Sequence, residues 1–329
     1  MTDRYGVLLF NLGGPDTLDD VEPFLVRLFS DRDIVELPLG ALFQPLFARL
    51  IARVRGPSVR RNYASIGGGS PQLRLTRAQA EALSVRLGGT SAPVPVAIAM
   101  RYWRPDTQTA LGELVRAGVT RIVTLTLYPH YSRATTGSSE RELLRVLARP
   151  EWTGRFRVGG IDRFPEEPSY IGALAATVRD ALAGFPEGAR FRVHLLFSAH
   201  GLPQRFVDAG DPYVRETEAT VRALLARLAL PNPHALAYQS RTGPVKWTSP
   251  GTEEVLRDLG ARGVREVLVV PVSFVSDHIE TLYELDQLFA GAARRAGIAD
   301  YRRSAALNTH PLFIEALAGL VERHLEEAP

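Results

Sequence analysis

The sequence predicts an α/β fold made of two similar, doubly wound parallel-sheet domains with a cleft between them. Apolar runs fit for buried strands alternate with amphipathic helical stretches, a pattern that puts parallel strands in sheets covered on both faces. The order of these runs repeats between the two halves of the 329-residue chain. Paired segments also match in detail: "ALGELVRAGVTRIVTL" at 110–125 aligns with "VLRDLGARGVREVLVV" at 255–270, and "LLFNLGG" aligns with "LLFSAHG". The expected domains are residues 1–160 and 161–329.

In the first half, strands are expected in "GVLLFNLGGP", "VPVAIAMRYW" and "RIVTLTLYPHYS". Their counterparts are "VHLLFSAHGLP", "ALAYQSRTGP" and "EVLVVPVSFVSDH". The repeated helix stops at Gly118 in one copy and Gly263 in the other, where glycine suits a left-handed residue after the last turn. The segment "HPLFIEALAGLVERHLEE" reads as an amphipathic helix that closes the second domain.

Residues 39–63 place Leu42, Phe43, Leu46, Phe47, Leu50 and Ile51 beside Arg49, Arg53, Arg55, Arg60 and Arg61. This reads either as a buried amphipathic helix with a solvated basic edge or as an apolar lip whose arginines meet carboxylates or anionic headgroups.

Composition bounds the class. With 45% hydrophobic and 23% charged residues the chain is globular rather than disordered. It has no cysteine, which excludes disulfides, cysteine zinc sites and iron–sulfur clusters and suits a reducing compartment. The first apolar run is broken at Gly13 and Gly14, too early for a signal peptide or a membrane span, so a cytoplasmic location is expected. A formal charge of +3 gives no reason to expect a nucleic-acid partner.

Ligands of doubly wound sheets bind beyond the carboxyl ends of the strands. The internal alignment puts His200 where the first half has Gly13, and Asp277 where it has Ser132. His200 reads either as a histidine bonding a nearby carbonyl or as an imidazole presented to a ligand. In "SDHIETLYELD", Asp277, Glu280 and Glu284 share one helical face. A first turn capped by Ser276 or Asp277, with Glu280 favoured by the helix dipole, is one account, but it leaves Glu284 and His278 unexplained. The other is a row of carboxylates beside an imidazole, suited to a cation such as Fe²⁺ or to proton transfer.

The spacing is not that of an H-E-x-x-H protease. The loops "NLGGPDT" and "SIGGGSP" lack the lysine of a P-loop and the G-x-G-x-x-G pattern. Thr135, Thr136, Ser138 and Ser139 read as helix-capping residues.

"LLFNLGGPDTLDDVEPFLVRLFSDRDIVELP", "YASIGGGSP", "YPHYSRATTGSS", "FSAHGLP", "GDPY" and "VPVSFVSDHIETLYELD" together resemble the ferrochelatase family over nearly the whole chain. The resemblance implies two Rossmann-like, chelatase-type domains and insertion of Fe²⁺ into protoporphyrin IX to form haem at the end of haem biosynthesis. It implies that His200 and Glu280 face each other across the porphyrin pocket as the catalytic and metal-holding pair. Glu284 and Asp277 would extend the acidic face along which metal or protons travel.

Leu12, Tyr63, Tyr102 and Trp247 would wall the porphyrin, with Arg55, Ser70 and Arg101 contacting propionates or making hydrogen bonds in the pocket. Iron would be a substrate, so no permanent cofactor and no iron–sulfur cluster is expected. Leu288 stands where relatives often carry a third acid. Leu12 stands where coproporphyrin-type members tend to have tyrosine, which favours protoporphyrin IX and leaves coproporphyrin III as the alternative, followed by a cobalt or nickel chelatase or a tetrapyrrole carrier. The expected partners are the porphyrin and Fe²⁺, with peripheral membrane contact at the lip and a monomeric or homodimeric state.

Overall fold

The computed structural model describes residues 4–34, 40, 43–241, 243 and 245–327. The chain divides into two compact units, residues 1–163 with 317–329, and residues 164–316. In the first unit the order is β1 (Tyr5–Asn11), α1 (Val21–Ser30), α2 (Gln44–Ala64), α3 (Gln72–Gly88), β2 (Val96–Met100), α4 (Thr107–Arg116), β3 (Arg121–Thr126), α5 (Thr136–Leu147) and β4 (Arg157–Ile161). In the second it is α6 (Pro168–Ala183), β5 (His194–His200), α7 (Gln204–Asp208), α8 (Tyr213–Leu228), β6 (His234–Gln239), α9 (Thr252–Ala261), β7 (Glu266–Pro271), a π-helix (Glu280–Phe289), α10 (Ala290–Arg295) and β8 (Asp300–Arg303). The last helix, α11 (Pro311–Glu327), ends within the first unit, where Glu322 pairs with Arg86.

The internal repeat is structural. The sheets run β2-β1-β3-β4 and β6-β5-β7-β8, all parallel, so each first strand lies at the middle of its sheet. Val7, Leu8 and Leu9 of β1 and Leu195, Leu196 and Phe197 of β5 are fully buried, as strands covered on both faces must be. Ala110, Leu111 and Leu114 of α4 pack on one sheet as Val255, Leu256 and Leu259 of α9 pack on the other. Gly118 and Gly263 end these helices at φ 73° and 79°, a conformation that only glycine adopts without strain. The edge strands β4 and β8, "RVGGI" and "DYRR", lack the apolar run expected of a strand and were not foreseen in the sequence.

Of the two readings of residues 39–63, helix α2 departs from the buried amphipathic helix and agrees with an exposed apolar lip. Its buried positions are Gln44, Ala48, Ala52, Gly56 and Tyr63, small residues for the most part, whereas Phe43, Leu46, Leu50 and Val54 are exposed. The Gln44 amide donates to the Phe29 carbonyl at the end of α1. The small side chains give a shallow packing face, so the large apolar ones are left outside. Leu42 lies outside the described residues.

Candidate active site

His200 is the last residue of β5 and Glu280 the first of the π-helix. Two backbone ties fix the histidine: its N–H donates to Ser273 Oγ, and its carbonyl accepts from the Tyr213 hydroxyl. Its Nδ1 lies 2.7 Å from Glu280 Oε2. The resemblance sets the pair across the porphyrin pocket from each other; in this structure the two side chains are joined by a direct hydrogen bond. Phe274 stands edge-on to the imidazole at 6.3 Å and packs against His278 at 4.6 Å.

Glu280 and Glu284 converge on the end of β6. Gln239 Nε2 donates to the Glu280 carbonyl and to Glu284 Oε2, and the Ser240 hydroxyl donates to the same Glu284 oxygen at 2.7 Å. Ser198 orients the Gln239 amide by donating to its oxygen. Ser240 holds φ at 60°, a left-handed backbone that costs a non-glycine residue energy and that clusters at functional sites. Neither Gln239 nor Ser240 was identified from the sequence, because no acid or histidine marks "AYQSR"; two polar residues closing a buried strand were the available signal.

Charge is shared unevenly. Burial disfavours the His200 imidazolium, but the Glu280 carboxylate outweighs it through charge and hydrogen bond, and the pKa lies above the ordinary histidine value. Burial works against the Glu280 anion, but His200 more than compensates, with His278 assisting, and its pKa falls below the carboxylate range. Glu284 goes the other way, raised by burial and by the neighbouring Glu280 charge. His278 is pushed down by burial; its Nδ1 faces the Ser276 carbonyl at 3.1 Å, which selects the neutral tautomer protonated there and leaves Nε2 3.9 Å from Glu280 Oε2. The site thus holds one favoured cation, one anion and one carboxyl poised to titrate.

Asp277 is occupied elsewhere. Its Oδ1 accepts from the Thr281 hydroxyl and from Arg303, and its Oδ2 accepts from Asn308. It precedes the π-helix, whose capping position is Ile279 without a side-chain cap, so neither Ser276 nor Asp277 caps it. The carboxylates expected on one α-helical face are therefore divided, with Glu280 and Glu284 sharing Gln239 and Asp277 bound to β8 and its following loop.

In the same unit Trp247 forms an isolated antiparallel bridge with Pro203 and lies against Gly201, where an added Cβ would come 3.4 Å from the indole. That places it beside the residue following His200.

The remaining expected porphyrin contacts lie in the first unit. Leu12 follows β1, and Arg101 and Tyr102 follow β2; the Tyr102 N–H donates to the Leu12 carbonyl, which brings the strand ends together. The loop after β1 packs on the "GGGSP" loop: Ser70 N–H donates to the Pro15 carbonyl, and a Cβ on Gly14 would meet Ser70 Oγ at 2.6 Å. Close backbone approach explains Gly14 and Gly69, and a positive φ explains Gly13, Gly67 and Gly68.

Asp31 Oδ2 accepts from Arg101, from the Tyr102 hydroxyl and from Ser138 Oγ within 2.7 Å. Burial disfavours this carboxylate, yet the two hydroxyls and the guanidinium hold its pKa below the usual range. Arg101 thus already has a carboxylate partner, and Ser138 serves this network rather than a helix cap. Arg55 stacks over Phe29, and Tyr63 is buried on α2.

Two parallel four-stranded sheets of matching order, one with an imidazole–carboxylate pair where β5 meets the π-helix, make an α/β architecture of the chelatase type. The ferrochelatase family profile matches residues 4–325. Ferrochelatases from Geotalea uraniireducens and Geobacter metallireducens are 52% and 53% identical over 323 residues, covering 98% of this chain and 98% and 99% of theirs. A Synechococcus ferrochelatase is 50% identical over 98% of this chain and 93% of its own. Among solved structures, SirB from Bacillus subtilis with Fe³⁺ superposes with a TM-score of 0.58 at 13% identity, covering 99% of this chain and 98% of that one. DR2241 from Deinococcus radiodurans does so with 0.55 at 18%, covering 96% and 54%. These two likenesses establish the fold alone. The chain belongs to the ferrochelatase family, enzymes that insert iron into a porphyrin.

Proposed function

We propose that this protein inserts Fe²⁺ into protoporphyrin IX, releasing haem and two protons. The observation that carries the reading is the His200–Glu280 hydrogen bond, with Glu284 held one turn on by Gln239, whose amide donates to the Glu280 main-chain carbonyl and to the Glu284 carboxylate. Each iron that enters displaces two pyrrole protons, so the site must hold a dication and take up protons in one place. Glu280 supplies the anion for the metal, and a cation arriving on it weakens its hold on the His200 proton. His200 then gives up its Nε2 proton while keeping Nδ1–H on Glu280, and the neutral ring has an Nε2 lone pair to accept a proton from a pyrrole N–H. Glu284 takes up a proton more readily than an ordinary carboxylate, which suits a relay that alternates between metal and proton.

The macrocycle contacts proposed are Leu12, Ser70 and Trp247, with Arg55 and Arg101 for the propionates; Tyr63 and Tyr102, both buried, support the first unit from within rather than touching the ring. Arg101 would serve while still paired to Asp31, as a hydrogen-bond donor more than as a full counter-charge. Asp277 acts through structure, not as a ligand. No resident cofactor is required, because iron is the substrate.

No helix among the described residues is long and apolar enough to cross a membrane. Exposed Phe43, Leu46, Leu50 and Val54, with exposed Arg49 and Arg53 beside them on α2, support peripheral contact with an anionic bilayer from the cytoplasmic side.

The test is anaerobic incubation of purified protein with Fe²⁺ and, separately, protoporphyrin IX or coproporphyrin III, followed by visible spectroscopy. Conversion of protoporphyrin IX, abolished in Glu280→Gln, is expected. Conversion of coproporphyrin III alone would reassign the substrate, and tight porphyrin binding without metallation by any divalent ion would leave a carrier.

A further inference from the structure

Bonding of the i→i+5 type normally occurs as single-turn bulges inside α-helices. The Glu280–Phe289 segment sustains it over ten residues. Such a run needs tertiary support, and edge strand β8 supplies it. The Tyr301 hydroxyl donates to the Leu285 carbonyl at 3.0 Å. Arg303, whose side chain is 12% exposed, places Nε and Nη2 on the two oxygens of Asp286 at 2.7 and 3.0 Å. Its Nη1 reaches Asp277 Oδ1 at 3.1 Å and the Ser304 carbonyl at 3.2 Å. One guanidinium therefore links a residue just before the π-helix to one within it, while Asn308 locks Asp277 by a reciprocal pair of bonds.

The arrangement spans the sheet. Glu280 and Glu284 are tied to the ends of β5 and β6, whereas Leu285 and Asp286 are tied to β8, the strand at the opposite edge from β6. A helix held from both edges cannot rewind to tighter i→i+4 bonding without pulling either the glutamates from Gln239 and His200 or Asp286 from Arg303.

We propose that Arg303 is a positioning residue for metal handling, holding the Glu280–Phe289 segment in π-helical register through Asp277 and Asp286 so that Glu280 and Glu284 stay in line with His200. The inference rests on the metal-inserting function proposed above. It also gives Asp277 and Asp286 a role distinct from metal ligation: they are the two grips of the clamp.

The test compares wild type with Arg303→Gln, Arg303→Lys and Asp286→Asn, measuring kcat, KM for Fe²⁺, porphyrin affinity by fluorescence quenching, and thermal midpoint. Arg303→Gln is expected to raise the Fe²⁺ KM about tenfold while porphyrin affinity changes less than about twofold. Lysine restores the charge but not the fork, so Arg303→Lys should fall between wild type and glutamine. Asp286→Asn, nearly isosteric, should raise the metal KM by about threefold and carries the test if Arg303→Gln does not fold. Unchanged metal KM in all three, or porphyrin affinity falling in step with kcat, would overturn the positioning role. A wild type that binds porphyrin yet inserts no metal would instead refute the function on which the inference stands.

Discussion

His200, closing β5, and Glu280, opening the π-helix, share a hydrogen bond of 2.7 Å between Nδ1 and Oε2. Each shifts the other's proton equilibrium in the direction that favours an ion pair, histidine up and glutamate down. Groups coupled this way act as a unit, so either substitution alone should cost about as much as both. Glu280→Gln and His200→Ala are each expected to lower kcat for iron insertion by about 10²- to 10⁴-fold. Porphyrin affinity, read by fluorescence, should survive in both, and the double variant should be little worse than either single one. Additive losses would mean that the two side chains serve separate steps.

Glu284 offers a trade between stability and function. Its folded pKa is raised, by burial first and Glu280 second, so the folded state holds its proton more tightly than the unfolded chain does. Its favourable contribution is complete below the ordinary carboxylate value of 4.5 and is lost as pH rises through the folded pKa. Glu284→Gln keeps an oxygen to accept from Ser240 and Gln239 but removes the charge. The variant should therefore be more resistant to urea than wild type near pH 8 and lose that advantage near pH 4, while its KM for Fe²⁺ rises. A urea midpoint that does not move with pH relative to wild type would show that Glu284 ionises without penalty.

The two glycine loops of the first unit make a packing prediction. A Cβ on Gly69 would overlap the Asp16 carbonyl, a backbone atom with little freedom to yield. Gly69→Ala should destabilise the fold by about 1–3 kcal/mol, the usual cost of overpacking. Because this loop carries Ser70 and packs on the one following Leu12, porphyrin affinity should fall as well. Parallel thermal melts and porphyrin titrations would check it, and an unchanged melt would show that the loops slide apart freely.

Much of this architecture was legible in the sequence, and the reason is local. Buried parallel strands read as continuous apolar runs, and the left-handed turns at Gly118 and Gly263 need glycine, so the repeat shows itself in both patterns. His200 and Glu280 were legible because the first closes and the second soon follows an apolar run, and because both lie in segments that resemble ferrochelatases. What stayed hidden depends on distant contacts. Nothing in "ETLYELDQLF" distinguishes a π-helix from an α-helix, since the difference is imposed by Tyr301 and Arg303 from β8. Asp31 is joined to Arg101 and Ser138 across 70 and 107 residues of chain. The face that α2 buries follows from the small residues opposite α1, not from its large apolar ones.

Acid sensitivity should trace in part to His130, which is 1% exposed and lies beyond β3. Burial pushes its imidazole down to about 3, whereas in the unfolded chain it titrates near 6.5. A depressed pKa means that the unfolded state takes up the proton first, so His130 contributes no penalty above pH 6.5 and an increasing one as pH falls towards 3. The expected slope is about 1.4 kcal/mol per pH unit over that window. His194, pushed to about 4 by burial and then by Arg262, adds a second proton over a shorter range. Replacing His130 by Gln, which cannot titrate, should flatten the pH dependence of urea unfolding between pH 6 and pH 4 by roughly that slope. The quantity to follow is the difference between variant and wild type, in which the contributions of the other titrating groups cancel. A difference that stays constant from pH 7 to pH 4 would mean that His130 is protonated within the fold.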